Sequence, residues 1–227
     1  MARMPRLVVP GYPHHVTQRG NRKLQTFFSE NDFRAYVNLI AEMKERSRVE
    51  IWAYCLMPNH VHLVAVPSHE DGLAEMMQHS HRRYARRVNK RENWQGHLWQ
   101  ERFHSILMDE RHLFAAVRYI ELNPVAAGLC NAATDWPWSS VHAHVRREDD
   151  KIVTVQPMLK RVPHWSDYLA WQEDSEAIKN LRANVKSGRP VGDDRFINRL
   201  EELTGRKLRK SKPGPRQLKS EKKRETN

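Results

Sequence analysis

Cysteine is nearly absent from this chain. Its 227 residues hold two, Cys55 and Cys130, with neither CxxC nor metal-ligand spacing, which excludes a disulfide framework and a thiolate metal cluster. Both lie in apolar stretches and read as buried, reduced thiols. No apolar run approaches the roughly 20 residues needed to span a bilayer, and the N-terminus lacks a secretory apolar segment. No internal repeat is present. A cytoplasmic, nucleoid-associated location is therefore the expectation. Acidic residues are also short: 27 Asp and Glu face 39 Lys and Arg, for a formal charge of +12. From Arg206 onward, ten Lys and Arg meet only Glu221 and Glu225, leaving +8 there and +4 on residues 1–205. Such a basic tail suits a polyanion, most plausibly nucleic acid. With Pro213-Gly214-Pro215 inside it, it is expected to be disordered without a partner.

The rest of the chain has regular periodicity. Pro13–Arg19 reads as a first strand ended by Gly20-Asn21. Asn31-Asp32 opens a helix with Phe33, Tyr36, Val37, Ile40 and Met43 at helical spacing. Two apolar runs, Glu50–Met57 and His60–Val66, read as strands joined at Pro58-Asn59. An amphipathic helix follows from about Asp71 to Asn89, with Leu73, Met76, Met77, Ser80 and Tyr84 down one side. Phe103–Met108 forms a fourth strand. A helix from Asp109 or Glu110 carries Leu113, Phe114, Val117 and Ile120 and is expected to stop at Pro124. The order βαββαβα implies an α+β, ferredoxin-like antiparallel sheet with helices mainly on one face. Trp136-Pro137-Trp138-Ser139-Ser140 reads as a turn and N-cap, and further helices are expected at 165–172, 175–186 and 193–203. Three units follow: residues 1–145, a helical extension 146–205, and the basic tail 206–227.

Two stretches carry chemistry. His60 and His62 are i and i+2 on a strand, so their imidazoles project to one face. They can bind one metal ion with coordination sites left open, or they can be strand histidines that face solvent or hydrogen-bond locally. Tyr119 and Asn123 are i and i+4 on a helix and share a face. A phenol and a carboxamide presented together can act as nucleophile and hard-metal ligand. Equally, Tyr119 can pack in the core while Asn123 caps the helix before Pro124.

Five motifs in order lend these stretches a context: Gly11 and His15-Val16-Thr17 with Arg19-Gly20-Asn21; Tyr54-Cys55-Leu56-Met57-Pro58-Asn59-His60-Val61-His62; Gly96-His97-Leu98-Trp99-Gln100-Glu101-Arg102-Phe103; Tyr119-Ile120-Glu121-Leu122-Asn123-Pro124; and Trp136-Pro137-Trp138-Ser139-Ser140. Together they resemble the REP-associated tyrosine transposases, relatives of the single-tyrosine transposases of simple bacterial insertion sequences. The resemblance covers residues 11–145 strongly and extends loosely to Gly188–Gly192 and Gly205-Arg206. It implies a metal-dependent endonuclease and strand-transferase acting on single-stranded DNA beside hairpins formed by repetitive extragenic palindromes. By that resemblance His60, His62 and Asn123 would hold Mg²⁺ or Mn²⁺, and Tyr119 would form a 5′-phosphotyrosine link. The working unit would be a monomer or homodimer.

DNA contacts are expected from the run His81–Arg91, which carries six basic residues and no acid, with Arg82, Arg83, Arg86 and Arg87 as named candidates. Arg19, Asn21 and Arg102 join them, with Trp94 beside Arg102 as a base-stacking candidate and Trp99 read as core. Two alternatives stay open: a sequence-specific DNA-binding protein without nuclease activity, and a His-ligated metal hydrolase, which needs a further His, Cys or acidic ligand.

Overall fold

Strand β1 (His14–Arg19) begins a computed structural model that describes residues 5–209. The chain continues through α1 (Glu30–Arg46), β2 (Val49–Met57), β3 (His60–Pro67), α2 (Gly72–Glu92), β4 (His104–Leu107) and α3 (Glu110–Ala126). The strands form one antiparallel sheet in the order β2-β3-β1-β4. The α+β class and ferredoxin-like order match the sequence reading. One detail differs, since the helices cover both faces of the sheet rather than mainly one. Val61 to Pro67 of β3 are all buried, and successive strand residues alternate faces, so neither face is open. Helices α1 and α2 pack on each other and on β2, while α3 lies over β2 and β3 on the side to which His62 points.

Helix α3 starts at Asp109, whose side chain accepts from the His112 N–H at 2.9 Å, a side-chain N-cap. It does not stop at Pro124. The helix runs two residues further to Ala126, and Ala127 N–H still donates to Asn123 O. Proline in a last turn forfeits one hydrogen bond but leaves the preceding turns intact. Asn123 is therefore a helical residue with its side chain free to face the sheet, not a terminal cap.

Beyond α3 come α4 (Val141–Arg146), α5 (Gln156–Leu159), α6 (Trp165–Ala170), α7 (Ser175–Asn184) and α8 (Asp194–Thr204). Ile152, Val153, Met158, Trp165, Tyr168 and Leu181 enter the same hydrophobic core as the sheet. Ser140 does not cap α4 through its side chain; its hydroxyl donates to Glu121 Oε1 at 2.6 Å and accepts from Tyr54 N–H. Cys55 is buried, but Cys130 is only half-buried, and both are free thiols. The expected tail lies outside the described residues from Lys210 on. Arg206–Arg209, read with the tail on charge, are packed: Leu208 is buried beside Leu7, Val9 and Leu200, and Arg209 pairs with Asp194 and Glu201. One leucine and two acids outside the run hold it down, which a count of charge cannot register. Among the described residues no helix is long and apolar enough to cross a membrane.

Burial also sets an acid limit on the fold. Desolvation lowers His14 to about 4 and His81 to about 3, so the folded chain keeps both rings neutral where the unfolded chain, at about 6.5, protonates them. The unfolded state thus takes up the extra protons, and stability falls as pH drops below about 6.5, by about 1.4 kcal/mol per pH unit for each ring. Urea midpoints measured from pH 7.5 to 5 are expected to decline along that course. His81→Gln is expected to flatten the slope; an unchanged slope would remove His81 from this account.

Candidate metal and tyrosine site

The β2–β3 hairpin delivers the two histidines. Pro58-Asn59 makes the turn, and in the antiparallel register Thr17 sits opposite His62 and Arg19 opposite His60. The two imidazoles stand edge to face with centroids 4.9 Å apart. His60 Nδ1 lies 2.6 Å from Asn59 Oδ1, and Asn59 Nδ2 donates to Lys23 O. The amide orientation this fixes requires His60 to donate from Nδ1, so Nε2 keeps its lone pair.

His62 has the same disposition. Its Nε2 is 3.2 Å from Asn123 Nδ2, and its Nδ1 is 3.0 Å from Nε2 of the stacked, buried His15. With the carboxamide donating to Nε2, the proton of His62 sits on Nδ1 and is given to His15. Burial holds His62 well below the usual histidine range, with His60, His15 and Arg19 adding to it. Burial, then Arg19, lowers His60 to about 4. Both rings are neutral; His62 Nε2 accepts the Asn123 amide N–H, so a cation on that nitrogen would take the place of this hydrogen bond.

Helix α3 supplies the opposite wall. Tyr119 meets His62 edge to face at 5.8 Å, one turn from Asn123 as the i, i+4 spacing requires. Together with His60, His62 and Tyr119, Ile178, Leu181 and Arg182 of α7 enclose a cavity of about 620 Å³. The Arg182 guanidinium stands 5.0 Å from the centroid of the Tyr119 ring. Helix α7 was legible from its periodicity, but nothing local to it marks Arg182 as a neighbour of Tyr119. His15 was visible only as part of a motif, without a role.

Two neutral imidazoles and a carboxamide make an N/O donor set that fits a divalent cation and leaves coordination sites for water and phosphate. Among the described residues, no group of three or more His, Cys, Asp or Glu could hold a metal. Asn123 stands against His62, and among the described residues the hydrolase alternative gains no further acid or thiol.

The candidate DNA contacts fall in different places. Arg19 is exposed on the rim of the tyrosine cavity. Arg82, Arg86 and Arg102 surround a second cavity of about 570 Å³ between α2 and the segment 96–103. Arg83 is drawn to Glu42 of α1 at 2.7 Å. Arg87 is exposed and Asn21 half-buried, and neither lines the two cavities. Trp94 is exposed against Phe28, whereas Trp99 is buried and stacked on His81. Tyr84, the other phenol within the basic helix, is fully buried and donates to Thr26 O at 2.7 Å.

Known proteins give this arrangement a family. The family model described as transposase IS200 like matches residues 9–123, just over half of the chain. The REP-associated tyrosine transposase of Escherichia coli K12 is 26% identical over 128 residues, 56% of this chain and 74% of that one. A candidate REP-associated tyrosine transposase of Haemophilus influenzae is 29% identical over 110 residues, 44% of this chain. The match spans 62% of that relative's length, less than two thirds of it. A solved REP-associated tyrosine transposase bound to a REP hairpin superposes with a TM-score of 0.56 at 23% identity, over 65% of this chain and 87% of that chain, and so shares its fold. The chain belongs to the IS200-like transposase family.

Proposed function

We propose that this protein cleaves and rejoins single-stranded DNA beside hairpins formed by repetitive extragenic palindromes. The observation that carries the reading is the meeting of two local pairs. His60 and His62 stand side by side on β3, and Tyr119 and Asn123 reach His62 from α3. The solved neighbour's hairpin is the basis for proposing the hairpin partner here.

In this reading the rim cation Arg19 and the cations of α2 bind the phosphate backbone. Asn59 and His15 hold the two histidines in the tautomer that offers Nε2 to a cation. His60, His62 and Asn123 would hold Mg²⁺ or Mn²⁺, which when bound supplies charge stabilisation at the scissile phosphate. Tyr119 Oη attacks phosphorus, the Oη–P bond forms and the P–O3′ bond breaks. The proton lost by the phenol is balanced by the one gained at the leaving 3′-hydroxyl. The phosphodiester energy stays in the tyrosyl link, so a 3′-hydroxyl can attack it in turn and rejoin strands without ATP. Arg182 stands where it can offset negative charge on the phenol and phosphate.

A denaturing gel of the protein with end-labelled hairpin DNA and Mg²⁺ tests this directly. Tyr119→Phe removes only the hydroxyl, so DNA should still bind while no covalent protein–DNA adduct forms. Tyr84→Phe should keep the adduct, because the Tyr84 hydroxyl is spent on Thr26. Peptide mapping that located DNA on the Tyr84 peptide would overturn the assignment.

His60→Ala or His62→Ala should abolish metal-dependent cleavage, with a stability change of no more than about 1–2 kcal/mol. Cleavage at the parental rate by either variant would defeat the metal-site reading.

A further inference from the structure

Two aromatic rings at the end of α2 are held in water. Phe28 is 39% exposed and Trp94 49%, and they meet edge to face with centroids 5.6 Å apart. One such contact covers at most one face of the indole, so a flat π surface stays open. Neither ring stands on a loose segment. Trp94 follows Asn93, the left-handed residue that ends α2. Its N–H donates to Asn89 O at 2.9 Å, and the Asn89 amide donates to Gly96 O at 3.0 Å. Phe28 N–H donates at 3.0 Å to Oδ2 of Asp32, a buried carboxylate that Arg91 grips with two N–H groups at 2.5 and 3.1 Å. The same guanidinium lies 5.7 Å from the centroid of the Phe28 ring. An ion pair with a buried acid therefore fixes the support of an exposed aromatic pair.

The charge around the pair defines what would cover it. The nearby acids are matched within the protein: Arg91 engages Asp32 and Glu92, and Arg34 engages Glu30. Arg22 and Lys23 on the loop before Phe28, and Arg87 and Lys90 on α2, are exposed. Open π faces among exposed cations match a polyanion with π faces of its own. Single-stranded DNA offers both, whereas a duplex keeps the faces of its bases inside the stack. The loop that leads to Phe28 begins beside the histidines, because Asn59 Nδ2 donates to Lys23 O and Asn59 Oδ1 meets His60. The five residues from Lys23 to Phe28 span at most about 18 Å. A single strand with its phosphate at the histidines can therefore reach the aromatic pair within a few nucleotides.

We propose that Trp94, braced by Phe28, stacks on an unpaired base of the single-stranded DNA flanking the hairpin, while Arg22, Lys23 and Arg87 take the adjoining phosphates. This rests on the single-strand cleavage reading and adds a DNA-contacting surface to it. Every base has a π face, so stacking tolerates any sequence. The surface adds affinity and fixes the path of the strand, and it does not choose a base.

The test measures binding of the full-length protein to a palindrome hairpin with and without single-stranded flanks, in the absence of divalent metal. Trp94→Ala should weaken binding of the flanked hairpin about five- to thirtyfold, and Trp94→Phe should stay within about threefold of the parent. Binding of the flankless hairpin should be the same in all three proteins. Flanked hairpins with one base removed at each position in turn should cost the parent a similar factor at one position. Trp94→Ala should lose no more there, the coupling expected of two groups in contact. Equal binding of the flanked hairpin by the parent and Trp94→Ala overturns the proposal, as does an equal loss with and without flanks. In both cases hairpin binding by the parent leaves the wider reading intact. A parent that binds neither hairpin overturns both. Should Trp94→Ala fail to fold by circular dichroism, the base-removal series on the parent decides: a loss of about fivefold or more at one flank position supports stacking, and no loss at any position overturns it.

Discussion

A carboxyl group sealed in the interior sets the geometry of the site. Glu121 has no solvent exposure, and three donors converge on its two oxygens: Ser140 Oγ at 2.6 Å, His144 Nδ1 at 2.7 Å and Trp165 Nε1 at 2.8 Å. A buried acid is tolerated only when its oxygens are satisfied, and losing one partner of such a group costs on the order of 3–5 kcal/mol. An α-helix advances about 100° per residue. Glu121 therefore points about 200° away from both Tyr119 and Asn123. Pinning Glu121 to α4, α6 and the segment before α4 fixes the rotation of α3 about its axis. The phenol and the carboxamide are turned toward the sheet as a consequence.

The same logic explains why segments outside the ferredoxin-like core matter. His144 comes from α4 and Trp165 from the extension, and the α7 residues that close the tyrosine cavity follow them. Trp165 stacks on His144 at 3.9 Å between centroids, which orients the imidazole that meets Glu121. The extension supplies Trp165 of the lock on α3 and the cation beside Tyr119. On the opposite face α1 and α2 bury Tyr36, Tyr84 and Trp99 in an aromatic cluster with Phe27. That cluster holds the inner side of α2 in the core, so its arginines must face outward.

Much of the fold was legible because its signals are local. Strands β2 and β3 are apolar on both faces, as central positions of a covered sheet must be, and the amphipathic α1 and α2 repeat at helical spacing. Most of what was misread involved partners remote in sequence. Pro124 looked like a stop because its ring forbids an interior hydrogen bond, yet a last turn has little to lose. Ser140 looked like a cap, but its hydroxyl was claimed by Glu121, 19 positions earlier in the chain. Arg206–Arg209 looked like tail until Leu208 met Leu7 and Val9.

The sequence alone determined that His60 and His62 share one face, because a strand repeats every two residues, and that Tyr119 and Asn123 share another, because a helix returns at i+4. Both facts follow from backbone geometry within five residues and need no fold. That the two faces meet was decided by tertiary structure only. Strand and helix are brought together by the sheet register that places His62 opposite Thr17, and by a rotation of α3 held from Ser140, His144 and Trp165. Those contacts span 19 to 44 residues of chain, a distance over which no local periodicity carries information.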